Sequence, residues 1–63
     1  MNAYDSYRKI IDVINHEDNT SMHIPAINEL IKNYASKFPE EESLTSSLFE
    51  YKYELEKNLE YER

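Results

Sequence analysis

The chain has 63 residues, with 13 acidic and 7 basic side chains, and a formal net charge of −6 at neutral pH. A chain this short forms one domain at most, with a core of marginal stability, and it contains no cysteine for disulfides or thiolate metal sites. The negative charge opposes direct binding to nucleic acid and to anionic membranes. We therefore expect one small domain, residues 1–63, whose partner would be basic.

The first predicted element is a helix over about residues 3–16. Its apolar side chains recur at spacings of three and four, which places them on one face that is predicted to pack into the core: Tyr4, Tyr7, Ile11 and Ile14, with Ile10 beside them. Asn2 suits the N-cap position. Residues 15–21 contain no apolar side chain and two asparagines, which is typical of a loop.

A second amphipathic helix is predicted over about residues 24–37. Its apolar face repeats at three, four, three and four: Ile24, Ile27, Ile31, Tyr34 and Phe38. Pro25 fits the first turn, where its missing N–H has no intrahelical partner to lose. Pro39 ends the segment because it disfavours helical geometry at Phe38.

The third predicted helix, about residues 40–61, begins with three glutamates, which favour the positive end of a helix dipole. One stripe, predicted to pack into the core, carries most of its apolar side chains: Leu44, Leu48, Tyr51, Leu55 and Leu59. Residues 49–56 also alternate as a strand would, but a lone strand would leave its backbone groups unpaired. With no glycine for tight hairpin turns, we predict an all-α, antiparallel three-helix bundle.

The C-terminal helix is long and acidic and carries a second apolar face. Residues 40–63 hold eight acids and three bases, so that segment alone has a charge of −5. Phe49 and Tyr53 lie about 140° and 180° from Leu44 on the helix wheel, away from the leucine stripe. A three-helix monomer would cover only one of these faces, so the other is predicted to bind a second molecule.

The predicted partner-binding surface combines aromatic anchors with a rim of glutamates, as interface centres do. Its candidate residues are Phe49, Tyr53, Tyr61, Glu50, Glu56 and Glu60. Three interpretations remain open. The face binds a different, basic protein; it pairs with a second copy, giving a homodimer through the C-terminal helix; or its aromatics are simply exposed.

No motif indicates catalysis, a metal site or a cofactor. His16 and His23 lie seven residues apart, without the i, i+4 spacing of a helical metal site, and no histidine has a sequence context that places it beside Ser43 or its serine neighbours. The N-terminus lacks the basic and apolar segments of a signal peptide, so a cytoplasmic protein is expected. The chain is therefore predicted not to be an enzyme.

The predicted function is a small, acidic, non-catalytic protein that binds and modulates another protein, itself basic or nucleic-acid-binding. Inhibitors, antirepressors, adaptors and immunity proteins are of this kind. The alternative is a DNA mimic, whose carboxylates occupy the nucleic-acid groove of a DNA-binding protein. Direct DNA binding through a helix-turn-helix is disfavoured because the third helix is the most acidic part. The Ile, Asn, Lys and Tyr usage suggests an AT-rich coding sequence, as in some bacteria and phages.

Overall fold

A computed structural model describes residues 2–61, and of Tyr61 the backbone alone. The described residues form helix α1 (Ala3–Ile14), a 3₁₀ turn (Ser21–His23), helix α2 (Ile24–Lys37) and helix α3 (Glu42–Tyr61). The predicted fold class, an all-α bundle of three helices, is confirmed. The bounds of α2 match the prediction, whereas α1 ends before residue 16 and α3 begins after residue 40.

Side-chain caps set both ends of α1. The Asn2 side chain accepts a hydrogen bond from the Asp5 backbone N–H (2.8 Å), which satisfies one of the free donors of the first turn. The Asn19 amide donates to the carbonyls of Val13 (2.8 Å) and Ile14 (2.9 Å). Because Asn19 folds back on these carbonyls, α1 ends at Ile14 and the chain turns toward α2.

A capping box precedes α2. The Thr20 hydroxyl accepts from the Met22 backbone N–H (3.3 Å), and the His23 ring Nδ1 accepts from the Thr20 backbone N–H (3.0 Å). Pro25 lies in the first turn of α2, as predicted. His23 thus has a structural role in the loop that joins α1 to α2.

A turn separates α2 from α3 and explains the later start of α3. Phe38 leaves helical geometry (φ −126°, ψ 66°) immediately before Pro39, as the proline predicts. Its carbonyl then accepts from the Glu41 N–H (3.1 Å). Residues 39–40 therefore belong to the turn, and the helix proper begins at Glu42.

The core combines side chains from all three helices. Its buried apolar members are Ile10, Ile14, Ile27, Ile31, Tyr34 and Leu48. Ile31 and Leu48 have no exposed surface. The prediction that Tyr4 belongs to this core is wrong, since Tyr4 is 59% exposed. The buried face of α1 is centred between Ile10 and Ile14, about 100° around the helix from Tyr4.

Helix α3 is rotated from the predicted orientation, which corrects two expectations. Leu48 and Lys52 are buried and Tyr51 is 39% exposed, so the buried face is turned by about 40° toward Lys52. The prediction that Tyr51 lies in the core is wrong. Phe49 is half-buried and packs against the core, so the expectation that it lies on a separate, uncovered face is also wrong.

Two hydrogen bonds between helices show which segments of the helices lie side by side. The Tyr34 hydroxyl at the end of α2 donates to the Ala3 carbonyl at the start of α1 (3.1 Å). Lys52, at the middle of α3, donates to the Asn28 side chain in the first half of α2 (3.0 Å). The first contact joins the end of α2 to the start of α1, as expected when these two helices run in opposite directions.

Within residues 2–61, no helix combines the length and the apolar character needed to cross a bilayer.

Candidate partner-binding surface

Lys52 is the charged side chain at the centre of the candidate site. Its side chain is 9% exposed, although it carries an ammonium group. A buried charge is costly unless hydrogen bonds compensate for lost water. The ammonium donates to the Asn28 side-chain oxygen at 3.0 Å, so the two polar groups satisfy each other at the contact between α2 and α3.

Two aromatic rings complete the surroundings of the Lys52 ammonium. The Nζ atom lies 5.2 Å from the ring centroid of Phe49 and 4.7 Å from that of Tyr53. Both distances fall within the range of cation–π attraction, about 6 Å. Phe49 belongs partly to the core and Tyr53 is 55% exposed. Lys52 therefore links the interior of the bundle to an aromatic ring on its surface.

Glu56 lies at the edge of this arrangement. One carboxylate oxygen is 4.0 Å from the Lys52 ammonium, and the Glu56 side chain is 38% exposed. The two residues are one helical turn apart, and their separation is at the outer limit for an ion pair. Glu56 is therefore shared between the buried lysine and solvent, unlike the other predicted rim glutamates.

The remaining predicted site residues lie on the solvent side of α3. Tyr53, Glu50 and Glu60 are exposed, and Glu54 is exposed beside them. We call Tyr53 with these three glutamates the α3 outer surface. Lys57 is also exposed on this side. The side chain of Tyr61 lies outside the described residues.

Burial of Lys52 makes the exposed side of α3 more acidic than the sequence suggests. In the sequence, Lys52 and Lys57 both interrupt the row of glutamates. In the structure, Lys52 is turned inward and satisfied by Asn28. Among the described residues of α3, the exposed charged side chains are Glu42, Glu50, Glu54, Glu60 and Lys57.

Asn28 and Lys52 are the residues that sequence reasoning missed. Lys52 follows Leu48 by four positions and precedes Leu55 by three, which are the spacings of one helix face. That spacing was a signal for partial burial, because the aliphatic stem of lysine packs well against apolar neighbours. Nothing in the sequence connects Lys52 to Asn28, which lies 24 positions earlier.

A cleft of about 510 Å³ adjoins the site near the start of α2. Ile24 and Leu59 contribute apolar surface to it, and Glu56 and Glu60 line it from α3. Asn19 lines it from the loop before α2. The cleft thus continues the acidic character of α3 toward the end of the described helix.

The other chemically active side chains have structural partners. His16 Nδ1 accepts from the Asp18 backbone N–H (3.2 Å) and His23 forms the capping box. The Ser47 hydroxyl is hydrogen-bonded to the Tyr7 phenol (2.9 Å). In the described part of the chain, no group of three or more histidine, aspartate or glutamate side chains is placed to hold a metal ion.

No family model matches the chain, and no curated protein or solved structure matches it.

Proposed function

We propose that this chain is a small, acidic, non-catalytic protein that binds and modulates another protein through the α3 outer surface. The single observation that supports this most is Tyr53. It is a large aromatic side chain, 55% exposed, held 4.7 Å from a buried ammonium among exposed glutamates. Tyrosine is enriched among the residues that dominate binding energy at interfaces. Inhibitors, antirepressors, adaptors and immunity proteins act in this way.

Tyr53 differs from other exposed apolar side chains in how it is held. Met22 is 85% exposed and lies in the 3₁₀ turn, and isolated exposed side chains of this kind are common. Tyr53 instead contacts a lysine that is itself fixed by Asn28. A side chain held before binding loses less conformational entropy when a partner covers it. This favours Tyr53 as a binding anchor.

The proposed partner is basic. The exposed charges of α3 are mainly carboxylates, and complementary charge speeds encounter and selects among partners. A second copy of the chain is a further proposed partner, because small domains with marginal cores often gain stability by association. Either partner would cover Tyr53.

Capture by immobilised protein tests the proposal. Wild type, Tyr53→Ser and Met22→Ser are compared as baits in lysate of the source cells, with circular dichroism to check folding. A basic protein retained by wild type and Met22→Ser but lost from Tyr53→Ser supports the proposal. Retention by all three baits at equal yield would show that the proposed surface is wrong.

A DNA mimic is the second candidate, and the burial of Lys52 favours it. With Lys52 turned inward, Lys57 alone among the described basic residues of α3 interrupts its exposed carboxylates. A mimic should compete with duplex DNA for a DNA-binding protein, and its affinity should fall steeply with salt. A captured partner that binds DNA and this chain at the same time would exclude the mimic.

A further inference from the structure

The groove between α1 and α2 has a chemistry opposite to that of α3. Its apolar lining includes Ile10, Leu30 and Phe38, and its volume is about 280 Å³. This volume is just below the range of small-molecule pockets, about 300–1,000 Å³. The groove is therefore of a size to receive one large side chain of a partner. Leu30 is 39% exposed there. We call it the α1/α2 groove.

Both charged side chains that line this groove are lysines. Lys9 lies on α1 and Lys37 on α2, so a positive charge stands on each helix. The Lys37 ammonium lies 5.7 Å from the ring centroid of Phe38, beside the apolar lining. The chain as a whole has a net charge of −6, but this groove is apolar and flanked by positive charges. It is therefore complementary to an acidic segment that carries an apolar side chain.

We propose that the α1/α2 groove binds the α3 outer surface of a second copy of this chain. Tyr53 of one copy enters the groove of the next, and Glu50 and Glu54 face Lys9 and Lys37. The chain thus supplies both halves of the contact: an aromatic anchor among carboxylates, and an apolar groove between lysines. The inference rests on the proposed use of α3 as a binding surface.

Charge decides between this contact and the pairing of α3 with α3. In a two-fold contact the same patch meets itself, so the exposed glutamates of α3 would face those of the partner. Like charges brought together oppose association. Placing α3 against the α1/α2 groove replaces that repulsion with attraction.

The arrangement of the helices makes the contact head-to-tail. All three helices contact one another, so the groove between α1 and α2 faces away from α3. One copy therefore carries the α1/α2 groove and the α3 outer surface on opposite sides. Association then gives rings or open chains rather than a closed dimer. Because a basic partner would occupy α3, its binding would compete with self-association.

Sedimentation of wild type over a concentration series at two salt levels tests whether charges at the contact attract or repel each other. Between about 0.02 M and 0.5 M salt, screening shortens the range of surface charges several-fold. The proposed contact should weaken by about tenfold over that range, because its opposite charges are screened. Association that strengthens with salt would indicate α3 against α3 and would overturn the proposal, as would a wild type that stays monomeric.

Reversal of charge tests the two halves separately. Lys9→Glu with Lys37→Glu should weaken association by about tenfold or more, as should Glu50→Lys with Glu54→Lys. The control, Lys32→Glu, changes an exposed lysine outside the groove and should change association by about threefold at most. Circular dichroism verifies that each variant is folded.

Mixing the two double variants is the sharpest form of the test. Each alone repels its own copies, but the lysines on one α3 match the glutamates in the other groove. The unchanged glutamates on α3 of the Lys9/Lys37 variant also match the unchanged lysines in the groove of the Glu50/Glu54 variant. The mixture should therefore recover association, in rings or chains where the two variants alternate. A mixture that stays monomeric overturns the inference.

Failure of this inference is distinguishable from failure of the proposed function. If Tyr53→Ser loses association while the groove variant associates as wild type does, the groove is excluded and the α3 surface stands. If the groove variant loses self-association but still captures the basic partner, both proposals are supported.

Discussion

Tyr34 and Lys52 are polar side chains buried in the same core, and their polar groups find different kinds of partner. Tyr34 donates to the Ala3 carbonyl, and its ring packs against Phe38 with centroids 5.1 Å apart. Lys52 donates to Asn28 and lies beside the rings of Phe49 and Tyr53. Tyr34 therefore joins one helix to another, whereas Lys52 also reaches a residue that is exposed to solvent.

The difference teaches what a buried charge contributes here. A buried ion pair can often be replaced by apolar side chains at no cost in stability, so Lys52 has no clear advantage for the core alone. Its contact with Tyr53 gives it a second role, which is to hold the exposed ring in place. We infer that Tyr34 serves the fold, and that Lys52 serves both the fold and the α3 outer surface.

The largest expected effect comes from removing the core that both residues share. Leu48 has no exposed surface, and Leu48→Ala should cost about 2–5 kcal/mol. Since a core of this size rarely supplies more than about 3–5 kcal/mol, the variant should be largely unfolded by circular dichroism. Val13→Ala, at a position 42% exposed, is the control. A Leu48→Ala protein that melts like wild type would contradict the core described above.

Lys52→Ala should have the next largest effect. It leaves the Asn28 oxygen without its donor and removes the packing of the lysine stem, at a cost of about 1–3 kcal/mol in the free energy of unfolding. Lys52→Met keeps most of the stem and should cost less. Urea denaturation of both variants measures the difference. Equal losses would mean that the charge, and not the stem, holds α2 to α3.

Tyr34→Phe should have a smaller effect at neutral pH, about 0.5–1.5 kcal/mol, because it removes one hydrogen bond and keeps the ring. Burial raises the pKa of Tyr34 above its ordinary value of 10.0, and Glu41 and Tyr7 add to the shift. The unfolded chain therefore loses this proton at a lower pH than the folded chain does. The contribution is complete below about pH 10 and is lost as pH rises toward the folded pKa.

Urea denaturation of wild type and Tyr34→Phe between pH 8 and pH 11 measures that contribution. Wild type should lose more stability than the variant does as pH rises above about 10. Parallel curves would show that Tyr34 titrates alike in the folded and unfolded chains.

The smallest effect on stability is expected at the surface. Tyr51→Ser replaces a tyrosine that is 39% exposed and should change the free energy of unfolding by about 0.5 kcal/mol or less. Thermal melts monitored by circular dichroism check this value. A loss above about 2 kcal/mol would return Tyr51 to the core, as the leucine stripe first predicted.

Helical periodicity was enough to predict the fold, because α1 and α2 bury residues at regular spacings. Ile10, Ile14, Ile27 and Ile31 are all buried, and Pro25 and Pro39 bound α2 where proline chemistry requires. The rotation of α3 was not predictable in the same way. Apolar patterning scores lysine as polar, whereas the Lys52 stem lies in the core and its ammonium finds Asn28.

The exposure of the candidate residues was predicted in part, whereas their role in binding stays a prediction. Tyr53, Glu50 and Glu60 are exposed on α3, whereas Phe49 packs against the core and Glu56 lies near Lys52. Each correction follows from the same rotation of the helix about its axis. For that reason a test of the surface should change Tyr53 alone, since Phe49→Ser would also disturb the core.

One measurement tests the central claim most directly: self-association and unfolding of Tyr53→Ser, recorded on the same sample by sedimentation and thermal melting. Tyr53 is proposed to serve binding and not folding. Association should weaken by about tenfold or more, as expected for an aromatic anchor, while the melting temperature stays close to that of wild type. Association of Tyr53→Ser as strong as that of a self-associating wild type, with or without a change in melting temperature, would contradict the assignment of α3 as the binding surface. With a monomeric wild type, the same comparison is made on capture of the basic partner.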